Sequence, residues 1–340
     1  MDLSSGQSIT TTKGMPPQYS VVVNPRDAVQ WTLYYPTILQ EPTTSYNDQL
    51  NGLINQAAAN LLIGRVIEAR KDLNSALHVD AENPDVLALL AIIDVVQNRN
   101  ESALERAQKA FDLAPTSVTA GLALSYARQA FFDVDGALKT LEETARSNPG
   151  SGQVAARLAE LQLSVGQLNQ ALDSAKMAAG LEPDIGRTQA VLGFAHLTRV
   201  ETELAEAAFK QAIMLDQVLP LARLGLGLTY IRIGKVEEGR SEIEIAAALD
   251  PGSSLIRSYL GKAYFEEKRD KQARRQYEIA KELDSADPTP WFYDAIRKQT
   301  DNRPVEALHD LQQSIALNDN RAVFRSNFLL DDDLAARSAS

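Results

Sequence analysis

The chain contains no cysteine among its 340 residues. Disulfides, thiolate nucleophiles and cysteine metal ligands are excluded, while the compartment stays undecided, because cysteine-free chains occur in reducing and oxidising surroundings alike. Histidine is scarce as well: His78, His196 and His309 stand far apart with no His-x-x-x-His pair, so neither a metal nor a cofactor is expected. Basic residues number 34 against 45 acidic ones, and the formal charge of -11 repels phosphate backbones. Nucleic acid is therefore not an expected partner. No apolar run approaches the ~18 residues needed to span a bilayer, so this segment is not expected to insert into a membrane. Residues 1–10 have neither the basic start nor the apolar stretch of a signal peptide.

What the chain has instead is a period. Positions 69, 103, 137, 171, 205, 239, 273 and 307, spaced 34 apart, are all alanine except Gly239. Two further columns in the same frame are small throughout: Ala57, Ala91, Ser125, Ala159, Gly193, Gly227, Gly261 and Ala295, then Ala76, Ala110, Thr144, Ala178, Ala212, Ala246, Ala280 and Ser314. Small residues recurring at this interval mark places where two helices cross closely. The frame cuts into eight units without an insertion: 50–83, 84–117, 118–151, 152–185, 186–219, 220–253, 254–287 and 288–321. A first helix carries a leucine-small pair, as in Leu90-Ala91 and Leu260-Gly261, and a second helix carries the alanine. Pro115, Pro149, Pro183 and Pro251 end four units, where a fixed φ and a missing N–H suit the break between hairpins. Gln56 and Asp294 replace the leucine in the end units, as capping of an array by polar residues requires.

Residues 1–49 do not follow the helical period. Val21 to Val23 form a β-branched run, Val29, Trp31, Leu33 and Tyr35 alternate with other residues, and two short strands are expected, either packed on the first helices or trailing a β domain. Residues 322–340 hold an apolar cluster, Val323, Phe324, Phe328, Leu329 and Leu330, then Asp331 to Asp333, which fits the start of a further helix.

The eight units with their three small columns resemble the tetratricopeptide repeat family. The resemblance implies an all-α, right-handed superhelical solenoid of about eight helix-turn-helix repeats, here with a short β-rich N-terminal segment. The large aromatic usual at the eleventh position of that motif is present only as Tyr230 and Tyr264; Asn60, Asp94, Arg128, Gln162, His196 and Lys298 stand elsewhere, so packing inside those hairpins is expected to differ. The flanks, from Val23-Asn24-Pro25 to Tyr35-Pro36 and from Phe324-Arg325-Ser326 to Ala336-Arg337, resemble the parts bracketing the repeats in bacterial FecR-type envelope proteins. That resemblance implies the middle of a longer exported protein, in the periplasm or cell envelope.

Such arrays take a peptide or protein segment in a concave groove lined mainly by first helices. Carried onto this frame, the groove positions select Tyr126, Arg157, Arg187, Phe194, Leu228, Ile231, Arg232, Tyr259, Lys262, Phe265, Phe292, Tyr293 and Ile296. Tyr259, Phe265, Phe292 and Tyr293 form the richest aromatic group, expected to offer a functional face. Ile54 and Ala58, then Ala88 and Ile92, stand where chaperone-tail-binding members carry the Lys and Asn that grip a carboxylate, so that activity is not expected. His196 is expected to be a core or half-buried histidine, and Gly225, Gly227 and Gly234 to be repeat glycines, not a phosphate loop. The Glu142-Glu143, Glu237-Glu238 and Glu266-Glu267 pairs read as surface charge. No nucleophile, base and orienting group assemble, so the chain is expected to be a non-enzymatic protein-protein interaction scaffold. The alternative is a periplasmic adaptor for polysaccharide assembly or export, with groove aromatics stacked on a glycan.

Overall fold

The second helix of every hairpin starts 34 residues after the previous one: α2 (Val66–Val79), α4 (Asn100–Leu113), α6 (Val134–Ser147), α8 (Leu168–Leu181), α10 (Thr202–Leu215), α12 (Val236–Leu249), α14 (Asp270–Leu283) and α16 (Pro304–Leu317). The first helices precede them as α1 (Asp48–Leu62), α3 (Pro84–Val96), α5 (Val118–Ala130), α7 (Gly152–Ser164), α9 (Gly186–Thr198), α11 (Pro220–Arg232), α13 (Ser254–Glu266) and α15 (Thr289–Thr300). The computed structural model describes residues 7–10, 18–21 and 48–317, apart from positions 63, 64, 98, 132 and 286. Two compact units divide the chain, Met1–Pro149 with α1 to α6 and Gly150–Ser340 with α7 to α16.

Side-chain caps start several first helices. Asn83, Ser117, Ser151 and Ser253 accept from the N–H groups of Val86, Ala120, Val154 and Ile256, satisfying donors that a helix start leaves open. The turn inside each hairpin closes with one repeated bond, such as Gln167 N–H to Gln162 C=O at 2.8 Å and Lys235 N–H to Tyr230 C=O at 2.9 Å. This turn places Gly166, Val200, Gly234, Lys268 and Asn302 at positive φ, so Gly234 is a turn residue.

All 24 members of the three small columns are buried. Their exact size answers the residue opposite. A Cβ on Gly193 would lie 2.7 Å from the Phe209 ring, one on Gly227 2.5 Å from Ile243, and one on Gly261 2.5 Å from the Tyr277 ring. Gly239, the exception in the alanine column, faces Gly227 so closely that its Cβ would meet that residue's carbonyl at 2.6 Å.

The eleventh position carries a polar or charged side chain in place of the large aromatic in every repeat but those of Tyr230 and Tyr264. In the first unit, Asn60 donates to Asp72 at 2.8 Å, and buried Asp94 takes Arg70 at 2.5 Å and also Arg106. Arg128 donates to Thr140 at 2.6 Å and to the Gly136 carbonyl at 2.9 Å. In the second unit, buried His196 Nδ1 lies 2.6 Å from Glu201, Tyr264 donates to Glu244 at 2.6 Å, and Lys298 to Asp310 at 2.6 Å. Burial first and the Glu244 carboxylate second push the Tyr264 phenol up to about 12.

One expectation needs correction, and two others fall largely or wholly outside the described residues. Before position 48 the described backbone pairs Gln7–Thr10 with Gln18–Val21, antiparallel. Only Val21 of the expected strands falls in that pairing, the stretch from Val29 to Tyr35 lies outside the described residues, and the β-rich segment is not supported. Polar Ser and Thr concealed the first of these strands, although threonine favours extended backbone. The expected helix after position 321 also lies outside the described residues. Asp294, read as a polar capping residue, is buried: it takes Lys281 at 2.8 Å and Arg297 at 2.7 Å, while Gln56 is exposed. A leucine there would leave those cations without this carboxylate.

Candidate protein-binding face

The groove positions belong to first helices, and each unit presents its own. In the first unit Tyr126 is half-buried on α5. Ile54, Ala88 and Ile92, where a carboxylate clamp would need polar groups, are buried and apolar.

In the second unit the helices sort the candidates into three groups. Tyr259, Phe292 and Tyr293 are 1 %, 3 % and 5 % exposed, and Leu228 is buried with them in one hydrophobic core. Tyr259 and Tyr293 approach to 5.7 Å between ring centres, and Phe292 and Tyr293 to 5.3 Å. These rings pack one hairpin on the next, so three of the four aromatics expected on an open face are core. Position explains this: Tyr259 and Tyr293 stand in the column just before the leucine-small pair, and their rings meet across neighbouring first helices.

A second group is half-buried on successive first helices and packs against that core: Phe194 on α9 and Ile296 on α15 at the ninth position of their repeats, Ile231 on α11 and Phe265 on α13 at the twelfth. Phe194 rests edge-on against Phe209 at 4.9 Å, which fixes its ring. Beside them stand exposed Arg232 and half-buried Lys262, the latter 3.7 Å from Glu266.

The third group is an ion triad that single positions did not reveal. Glu160 on α7 accepts from Arg187 on α9 at 2.7 Å and from Arg157, one turn back on its own helix, at 3.1 Å. Burial alone would raise the Glu160 carboxyl, but Arg187 and Arg157 outweigh it and hold it below its ordinary range. Charge compared across neighbouring first helices, one period apart, was the signal that could have found Glu160. Glu267, read as surface charge, similarly braces two hairpins by accepting from Arg240 at 2.8 Å.

Among the described residues no helix is long and apolar enough to cross a membrane. No protein-family model and no curated protein matches the chain. Solved structures do. The APC/C hetero-tetramer Cut9–Hcn1 is similar at 19 % identity and a TM-score of 0.65, over 83 % of this chain and 56 % of that one. The chain thus spans little more than half the length of that relative. The human IFIT1 dimer with m7Gppp-AAAA is similar at 17 % identity and a TM-score of 0.58, over 86 % of this chain and 77 % of that one. A tetratricopeptide repeat protein from Parabacteroides merdae covers 84 % of this chain and 98 % of its own at 15 % identity, with a TM-score of 0.45. The likeness is one of fold: an all-α solenoid of helical hairpins of the tetratricopeptide type.

Proposed function

We propose that the chain is a non-enzymatic interaction scaffold whose unit Gly150–Ser340 takes a peptide or protein segment on its first-helix face. One observation carries this reading: around the core that buries Leu228, Tyr259, Phe292 and Tyr293, the side chains of Phe194, Ile231, Phe265 and Ile296 stay half-buried on successive first helices, and three of those helices also carry Arg187, Arg232 and Lys262. This set suits a segment that alternates apolar side chains with carboxylates. Each of these residues is already half covered, so a partner gains about 0.75–1.5 kcal/mol from each, half the value of a full burial. Ordering and lost freedom consume much of that sum. Micromolar binding, about -8 kcal/mol, therefore needs the cations.

The resemblance of the flanks to FecR-type envelope proteins supports a place in the cell envelope, and no catalytic set of side chains supports an enzyme. The net charge of -11 argues against nucleic acid, although IFIT1 is similar in fold. The glycan reading is the weaker one, because Tyr259 is core and Lys281 already covers the Trp291 ring at 4.1 Å. Arg187→Glu, Arg232→Glu and Lys262→Glu together test the proposal. Partner capture from an envelope extract should fall at least ~tenfold, and unchanged capture would refute this set as the site.

A further inference from the structure

Three arginines converge on one carboxylate beside the turn between α3 and α4, within the unit Met1–Pro149. Buried Asp94 takes Arg70 of the preceding hairpin at 2.5 Å and Arg106 of its own, and Arg99 stands 3.9 Å away. Among the described residues no second carboxylate pairs with any of the three. Clusters in the unit Gly150–Ser340 are closer to balance: Lys281, Arg297 and Lys298 meet Asp294, Asp301 and Asp310, and Glu160 holds two arginines.

The 34-residue frame shows what is missing. Arg70, Gln97 and Arg99 hold the positions that Arg240, Glu267 and Arg269 hold five repeats later. There Glu267 takes Arg240 and Arg269, each at 2.8 Å, and Glu244 gives Arg240 a second carboxylate. Here the neutral amide of Gln97 takes Arg70 at 2.9 Å and Arg99 at 2.5 Å, and Asn74 stands in place of Glu244, so the contacts persist while both charges are lost. Asp94, at the position of Tyr264, restores one of them, but Arg106 adds a third cation where the later repeat has Gln276. Three cations against one anion leave two positive charges over, in a chain whose formal charge is -11.

Acceptors are short as well. Each guanidinium carries five N–H donors, yet the three make four hydrogen bonds between them, and the buried Arg70 Nε has no partner. Burial lowers the Arg70 guanidinium most, Asp94 pulls it back, and Arg99 and Arg106 depress it again, so it ends below its ordinary value. The Arg99 and Arg106 side chains are 51 % and 33 % exposed, which opens the cluster to a ligand from solvent.

We propose that Arg70, Arg99 and Arg106 hold a phosphate monoester carried on a side chain of a protein partner. Such a group brings about -1.5 to -2 charges and three acceptor oxygens at neutral pH, which matches the surplus, whereas one carboxylate would neutralise half of it. The planar fork of arginine suits phosphate oxygens. Nucleic acid and anionic membranes fit less well, because the net charge of the chain repels extended arrays of phosphate. This site lies in the other unit from the first-helix face of Phe194 and Phe265 and does not depend on it.

Thermal melting and fluorescence polarisation on the full chain test the site. Inorganic phosphate should raise the melting midpoint of the parent. A labelled, degenerate library of short peptides with a central phosphoserine, phosphothreonine or phosphotyrosine should bind at least ~tenfold more tightly than its unphosphorylated counterpart. Gln97→Glu supplies the absent charge: it should raise the midpoint in phosphate-free buffer and weaken phosphopeptide binding at least ~tenfold. Arg99→Gln with Arg106→Gln should weaken it as much and remove the response to inorganic phosphate. Equal binding of the unphosphorylated library, or an affinity indifferent to both variants, would overturn the site. Stabilisation by inorganic phosphate with no phosphopeptide bound would assign a free anion and overturn the protein partner.

Discussion

A methyl added at Gly261 meets the Tyr277 ring, and the glycines at 193 and 227 face Phe209 and Ile243 in the same way. The units with alanine or serine in that column carry Leu73, Ala107, Leu141, Ala175 and Leu311 at the frame position that Phe209, Ile243 and Tyr277 hold, so both aromatic partners stand opposite glycine. Gly261→Ala should cost about 1–2 kcal/mol, since overpacking exceeds the gain in helix propensity. Tyr277→Leu should cost less in that background than alone, by at least ~0.5 kcal/mol, as read from urea midpoints; additive losses would contradict the pairing. Val200 is a second residue at odds with its place, a β-branched side chain at φ 64. Val200→Gly should stabilise the unit by about 1 kcal/mol, because relief of left-handed strain exceeds the entropy glycine adds to the unfolded chain.

Asp294 links residue chemistry to pH. Burial by itself would raise its carboxyl, yet Lys281 and Arg297 outweigh it and bring it from 3.8 to about 2. The unfolded chain therefore binds this proton more readily than the folded one. The stabilisation is complete above about pH 4 and is lost as pH falls toward 2. Asp294→Asn should flatten the acid limb of a thermal-stability profile over that window; a parent-like slope would assign the limb to other groups.

At the scale of the element, the hairpin period was legible because packing geometry forces it: Ala57, Ala69 and Ala76 sit at close crossings, and larger side chains there would part the helices. The turn was legible at Gly234 and hidden at Val200 and Lys268, since those residues do not advertise a positive φ. The candidate face was only partly legible. A column identifies which residues share a helix face, but whether a ring such as Tyr293 is covered depends on the size of its neighbours in the adjoining hairpin, here Tyr259 and Phe292. Sequence aromaticity pointed to the core as readily as to a binding surface. Glu160 escaped because its meaning lies in two arginines on two helices, one of them 27 residues away. Asp294 was misread for the same reason: Lys281, its partner, belongs to the preceding hairpin.

At the scale of the whole molecule, each unit is a stack whose hairpins touch their neighbours, so stability is a sum of local terms. In the proposed reading a partner is met by repeated first helices, and the half-buried side chains Phe194, Ile231, Phe265 and Ile296 with the cations Arg187, Arg232 and Lys262 are the part offered to it. An array of 12-residue peptides that vary in apolar and acidic content, read by fluorescence polarisation against the full chain, tests this most directly. Peptides combining both features should bind at micromolar Kd, and Arg187→Glu with Arg232→Glu and Lys262→Glu should weaken them at least ~tenfold. Binding without regard to peptide composition, or equal affinity for the triple variant, would contradict it.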